Sequence, residues 1–130
     1  MKTLLPPGWP RPKGYSNGIS ATGRTVFTAG VVGWNEREEF AADTLPAQFA
    51  QALRNIVAIL AQGGAEPAHL VRLTCYVTSV DAYLAGLAEI GAAWKTTIGQ
   101  HYPTMALVQV VRLVEPAALV EIEATAVVPE

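Results

Sequence analysis

The sequence predicts an α+β domain of order β-β-α-β-α-β-β, with two helices on one face of a single mixed sheet. Two segments repeat apolar residues at helical spacing, Phe49, Leu53, Ile56 and Leu60 in one and Leu84, Leu87, Gly91, Trp94 and Ile98 in the other. Three runs, around residues 70–78, 105–114 and 119–128, alternate in the manner of strands. A chain of 130 residues can bury one core of this kind, so residues 1–130 read as a single domain.

Pro6, Pro7, Pro10 and Pro12 crowd the amino-terminal arm, residues 1–13. Proline lacks an amide donor and holds the backbone extended, so the arm is expected to wrap the surface rather than pair along its length. "YSNGISATGRTVFTAGVVGW" follows as two extended segments about the turn signal Ala21-Thr22-Gly23, which predicts a hairpin. Gly30 interrupts the second segment, as glycine does at a bulge or where another group comes close. In "DTLPAQFAQALRNIVAILAQGG", Asp43 or Thr44 can cap a helix, Pro46 suits its first turn and Gly63-Gly64 ends it.

Alternation in "HLVRLTCYVTSV" sends Val71, Leu73, Cys75 and Val77 to one face and Leu70, Arg72, Thr74, Tyr76 and Thr78 to the other. Ser79 or Asp81 can cap the second helix, and Gly99 can end it. Two strands, about Met105–Val114 and Leu119–Val128, are joined at Glu115-Pro116. In the last, Val120, Ile122, Ala124 and Ala126 are expected to face the helices, leaving Leu119, Glu121, Glu123, Thr125 and Val127 on the uncovered face. Leu107, Gln109, Val111 and Leu113 are expected to share that face. So apolar a surface predicts burial against further copies of the chain.

Composition removes several function classes. Hydrophobic residues make up 51% of the chain and charged residues 15%, which provides for a core and argues against disorder. A formal net charge of -2 without a basic run lacks the electrostatic footprint of a nucleic-acid binder. There is no apolar run of bilayer length and no apolar signal-peptide region, so a soluble, cytoplasmic protein is expected. The single cysteine, Cys75, reads as a small core residue. His69 and His101 lie outside any spaced ligand motif and are expected to be exposed loop residues, so no metal site is predicted. Glycine loops for nucleotides and a serine nucleophile elbow are lacking, so no cofactor is predicted. What remains is the pair of glutamates in "VEIEA", Glu121 and Glu123, with Arg72 on the same predicted face. A partly buried carboxylate there can be a general acid or base, or half of a structural ion pair at a subunit contact.

The segments "KGYSNGI", "VFTAG", "ALRNIVAILAQGGAEPAHLVRLTCYVTSVDAY" and "YPTMALVQVVRLVEPAALVEIEATAV" resemble, in order and spacing, the RidA (YjgF) family of enamine/imine deaminases. The resemblance runs from Gly14 to Val128. It implies a chorismate-mutase-like fold and a homotrimer whose sheets form a central barrel, with ligand clefts between subunits. It also implies hydrolysis of a reactive enamine, such as 2-aminoacrylate, or its imine to a 2-oxo acid and ammonia without a cofactor. By the same resemblance Glu121 is the proton-handling glutamate, and Tyr15 and Gly30 belong to the substrate pocket. The backbone at Leu107 matches a segment that hydrogen-bonds the ligand.

One departure from the family pattern bears on the substrate. Where the deaminases read Pro-Ala-Arg-Ser this chain reads Pro103-Thr104-Met105-Ala106, so Met105 occupies the position of the arginine that grips the substrate carboxylate. Val31 replaces a frequent glutamine, and Ala88 or Glu89 stands where many relatives have asparagine. Lys13 and Arg72 are candidate replacement cations, whereas alternation sends Arg112 to the face opposite Met105. The expected substrate pocket, from Tyr15, Gly30, Val31, Met105, Ala106 and Leu107, is thus less polar than the family's. Two readings follow: a deaminase of an enamine or imine other than 2-aminoacrylate, or a non-catalytic trimer that binds a small molecule or a partner.

Overall fold

The computed structural model describes residues 1–130. Its sheet is organised around the last strand, β7 (Val120–Val128), whose length lets it serve several partners. On one side β7 pairs antiparallel with β3 (Arg24–Phe27) and β4 (Val31–Val32); on the other it pairs antiparallel with β5 (Leu70–Val77). The edge strand β6 (Thr104–Gln109) lies parallel to β5. A parallel neighbour needs a long crossover, and α2 (Val80–Ala85) with α3 (Leu87–Thr97) supplies it. Helix α1 (Leu45–Gln62) likewise joins β4 to β5, which run in the same direction against β7.

Helix α1 forms as its sequence signals require. The Thr44 side chain accepts from the Ala47 amide, Pro46 lies in the first turn and Gly63 caps the end. Phe49, Leu53, Ile56 and Leu60 are buried against Leu73, Cys75, Val120 and Ile122 of the sheet. Each such side chain contributes about 1.5 to 3 kcal/mol relative to an exposed one. Val120, Ile122, Ala124 and Ala126 face the helices as alternation predicts. No helix is long and apolar enough to cross a membrane.

Several expectations are corrected. The first two segments do not form a hairpin: β2 (Gly18–Ser20) pairs instead with β1 (Lys2–Leu4) of the arm, while β3 satisfies its backbone on β7. A register irregularity between Leu70 and Arg72 turns Leu70 into the core and Val71 out of its expected place. The second helix is broken at Gly86, where an added Cβ would stand 2.3 Å from Pro46 Cγ of α1. The break resets the helical phase, so Leu84 and Leu87 are 55% and 48% exposed while Ile90, Trp94 and Ile98 are buried.

Strand β6 ends at Gln109, five residues short of its predicted limit. Its partner β5 ends at Val77, whose carbonyl takes the Val110 amide in the last bond, and Val111 beyond it is 100% exposed. Register also reverses the parity expected of this strand. Met105 pairs with Leu73 and Leu107 with Cys75, so Met105 and Leu107 lean toward the helices and Ala106 toward the uncovered face. That face carries Arg72, Thr74 and Tyr76 of β5 beside Glu121, Glu123 and Thr125 of β7, with Phe27 71% exposed at its margin.

Candidate functional site

Two groups of predicted residues emerge, at different places on the chain. The first is assembled by a staple at Ser16. Its amide donates to the Pro103 carbonyl at 3.1 Å, its hydroxyl donates to the Tyr102 carbonyl, and it forms a parallel bridge with Thr104. The chain just before it, Lys13-Gly14-Tyr15, is thereby laid over the start of β6. Gly14 turns it there at φ 81°, a left-handed conformation that glycine adopts without strain.

Tyr15 and Met105 consequently share one cleft of about 320 Å³, closed on the helix side by Tyr83, Leu87 and Trp94. Trp94 stacks on Tyr102 with ring centroids 6.4 Å apart and 7° between planes. Its indole N–H donates to the His101 carbonyl at 3.1 Å. Tyr83 packs at 6.0 Å against Phe49 of the core. These aromatic walls were not singled out in the sequence. Trp94 stood only as a helix-periodic core residue, and the break at Gly86 is what aims Leu87 and Gly91 at the cleft.

The second group is Glu121 with Gly30. An added Cβ on Gly30 would lie 2.6 Å from Glu121 Oε2, so the interruption seen in the sequence is the space in which this carboxylate rests. Glu121 pairs in register with Val32, and Val31 pairs with Ile122. The Val31 side chain therefore enters the core rather than joining Glu121. The two groups occupy different faces of the sheet, Met105 toward the helices and Glu121 on the uncovered side. Leu107 follows Met105 two residues on along the edge strand, packed on the core, and Ala106 faces the uncovered side, with β5 between this strand and the β7 that carries Glu121.

The remaining polar candidates resolve individually. Glu123, rather than Glu121, is engaged by a side chain, accepting from the Tyr76 hydroxyl at 2.8 Å. That hydrogen bond, with burial and the two glutamates' charges, raises the Tyr76 pKa above its ordinary value. Arg72 lies in a shallow groove with Thr74, Glu123 and Thr125, on the face opposite Met105. Cys75 is buried, and desolvation pushes its thiol up to about 12, which keeps it protonated and unreactive at neutral pH. The histidines were expected to be exposed, and both are instead half-buried and bonded. His69 Nδ1 accepts from the Glu66 amide at 2.9 Å, and His101 Nε2 lies 2.6 Å from the Leu70 carbonyl.

Known proteins share this arrangement of elements. The model of a family described as Endoribonuclease L-PSP matches residues 10–128. A RutC family protein of Pasteurella multocida is 30% identical over 105 residues, 81% of each chain. A crystal structure of YyfB from Yersinia pestis, described as a protein of unknown function of the conserved Rid family, superposes with a TM-score of 0.83. It is 33% identical, and 98% of each chain is covered. Escherichia coli TdcF, solved with bound serine, superposes with a TM-score of 0.68 at 29% identity, covering 98% of this chain and 99% of TdcF. With a family model spanning nearly the whole chain and relatives above 30% identity, the chain belongs to the Endoribonuclease L-PSP family, which includes the RutC and YjgF/Rid proteins.

Proposed function

We propose that the chain is a RidA-type hydrolase that converts a reactive enamine or imine to a carbonyl compound and ammonia, working as a homotrimer. The observation that carries this reading is the division of the site. Tyr15 and Met105 line a cleft on the helix side of the sheet edge, while Glu121 rests against Gly30 on the uncovered side. A second copy seated on the uncovered face would bury its apolar and paired polar side chains and bring a Glu121 to the cleft of its neighbour. Binding of serine by TdcF supports a pocket for small amino-acid-derived molecules in this family. The endoribonuclease of the family description is not carried over, because a net charge of -2 without a basic run offers nothing to a phosphate backbone.

The chemistry asks for one proton-handling group. Water adds to the carbon of the protonated C=N bond as the Glu121 carboxylate takes its proton, giving a neutral tetrahedral carbinolamine. Glu121 returns that proton to the amine nitrogen, then takes the carbinol O–H proton as the C–N bond breaks, so that ammonia leaves and the carbonyl forms. No electrons are exchanged and no cofactor is needed. An enamine enters the same route after protonation at carbon. Met105 cannot make the charge-assisted contact of an arginine, so substrate binding depends more on the apolar walls of the cleft.

Met105 also favours a second reading, a non-catalytic binding protein that retains the fold. Imines generated in place from a panel of amino acids by an amino-acid oxidase separate the two. The hydrolase accelerates at least one of them, and Glu121→Gln lowers that rate by about 10² while the assembly persists. Acceleration of none supports the binder, and an active Glu121→Gln variant removes Glu121 from the mechanism.

A further inference from the structure

We propose that Lys13 holds the carboxylate of the ligand in the cleft over Met105, and that this ligand is a 2-imino or 2-oxo acid with a large apolar or aromatic side chain. The imino-acid half rests on the hydrolase reading above; the assignment of Lys13 and the binding of a carboxylate do not. Of the eleven residues lining the cleft eight are hydrophobic, and Lys13 is the one that carries a charge. Within one chain no carboxylate lines the cleft to neutralise it, and the Glu121 of a neighbouring copy is assigned to the attacking water.

The other two candidate cations, Arg72 and Arg112, are removed by the fold. Arg72 lies on the opposite face of the sheet from Met105, and Arg112 falls beyond the end of β6, on the exposed segment that follows it. Lys13 is exposed, but its backbone is not loose over the cleft. The Ser16 staple to Tyr102 and Pro103 holds the segment three residues away, and the left-handed turn at Gly14 directs it. An ammonium on a flexible stem cannot form the planar two-point contact of a guanidinium, yet it can follow a carboxylate as a point charge. Lys13 thus provides attraction without the geometric selectivity of the family arginine.

Selectivity passes to the walls. Tyr102, stacked on the buried Trp94, presents an aromatic wall, and Tyr83 and Leu87 line the cleft from the helix side. A methyl side chain would leave these surfaces uncovered, whereas a phenyl or branched alkyl group covers them and displaces water from apolar area. The volume, about 320 Å³, belongs to the lower range of small-molecule pockets.

Phenylpyruvate, a stable 2-oxo acid, tests the assignment by calorimetric titration of the full-length protein whether or not the chain turns over imines. The wild type should bind phenylpyruvate more tightly than pyruvate. Lys13→Met, which keeps the length of the stem at an exposed site, should weaken phenylpyruvate binding by about tenfold or more, and Lys13→Arg should retain it. Absence of phenylpyruvate binding by the wild type, unchanged binding by Lys13→Met, or equal affinity for pyruvate each overturns the proposal. If the wild type binds phenylpyruvate through Lys13 but leaves the imine of phenylalanine to hydrolyse at its uncatalysed rate, the carboxylate assignment stands and the hydrolase reading fails.

Discussion

Met105 and Gly30 are the two residues on which the proposed hydrolysis turns. Met105 leans into the cleft beside Tyr15, so a guanidinium introduced there would reach the same space. The wild type is expected to hydrolyse iminopropionate poorly, since a small acid gains much of its binding from a charged contact worth about 1.5 to 3 kcal/mol. Met105→Arg should raise kcat/KM for iminopropionate by roughly tenfold or more and reduce it for imines with large apolar side chains. A coupled assay of ammonia release reads both, and no gain on iminopropionate would mean that the pocket has diverged at more than this position. Gly30 acts through its neighbour. A methyl group there would meet the Glu121 carboxylate at 2.6 Å, and the flexible glutamate can yield where backbone could not. Gly30→Ala should therefore lower kcat by about tenfold to a hundredfold, of the order of losing general acid/base catalysis, with little change in thermal stability. A fully active variant would show that Glu121 does not work from the position it holds against Gly30.

Among the elements, α1 does more than cover the sheet. Gln48 is 1% exposed and uses its amide three times. Its NH₂ donates to the Ala42 carbonyl at 3.1 Å and the Ala117 carbonyl at 2.9 Å, and its oxygen accepts from the Leu119 amide at 2.8 Å. The helix thereby ties the loop entering it to the segment that leads into β7, and β7 carries Glu121. Gln48→Leu fills the same space but leaves three partly buried backbone groups without these partners. Each unsatisfied group costs about 1 to 3 kcal/mol, so a loss of at least ~2 kcal/mol is expected in urea unfolding. A stability equal to the wild type would mean that water replaces the lost bonds. In the sequence Gln48 was one polar residue within an amphipathic helix, and the partners that give it meaning lie as far as 71 residues away.

At the scale of the whole molecule, one face of the sheet is covered by helices and the other is not. The uncovered face mixes Phe27, Thr74, Tyr76 and Val108 with the engaged pair Tyr76–Glu123. Burying it between copies would remove apolar area from water at ~25 cal/mol per Å² and unite Glu121 with the cleft. Light scattering coupled to size exclusion should give three times the chain mass of 13.8 kDa. A stable monomer at micromolar concentration would count against the composite site along with the trimer. Substituting Phe27 with lysine should shift the assembly toward monomer and lower turnover in parallel, because the charge would have to be desolvated in the interface.

Residue order by itself determined the fold class, the limits of α1, the helix-facing side of β7 and the interruption at Gly30. These depend on local rules, namely apolar period, capping side chains and strand alternation, which act within a few residues. Other features came from tertiary structure alone. Which strand pairs with which was decided by β7, long enough to take β3, β4 and β5 and so to leave β2 to the arm. The faces of Leu70 and Leu107 were decided by an irregular register and by pairing with β5, neither of which alternation within one strand can reveal. The composition of the cleft was decided by the break at Gly86 and the staple at Ser16, which join residues 13–16, 83–94 and 102–105. Sequence periodicity specifies which side of an element is apolar; what that side meets depends on contacts between elements distant in the chain.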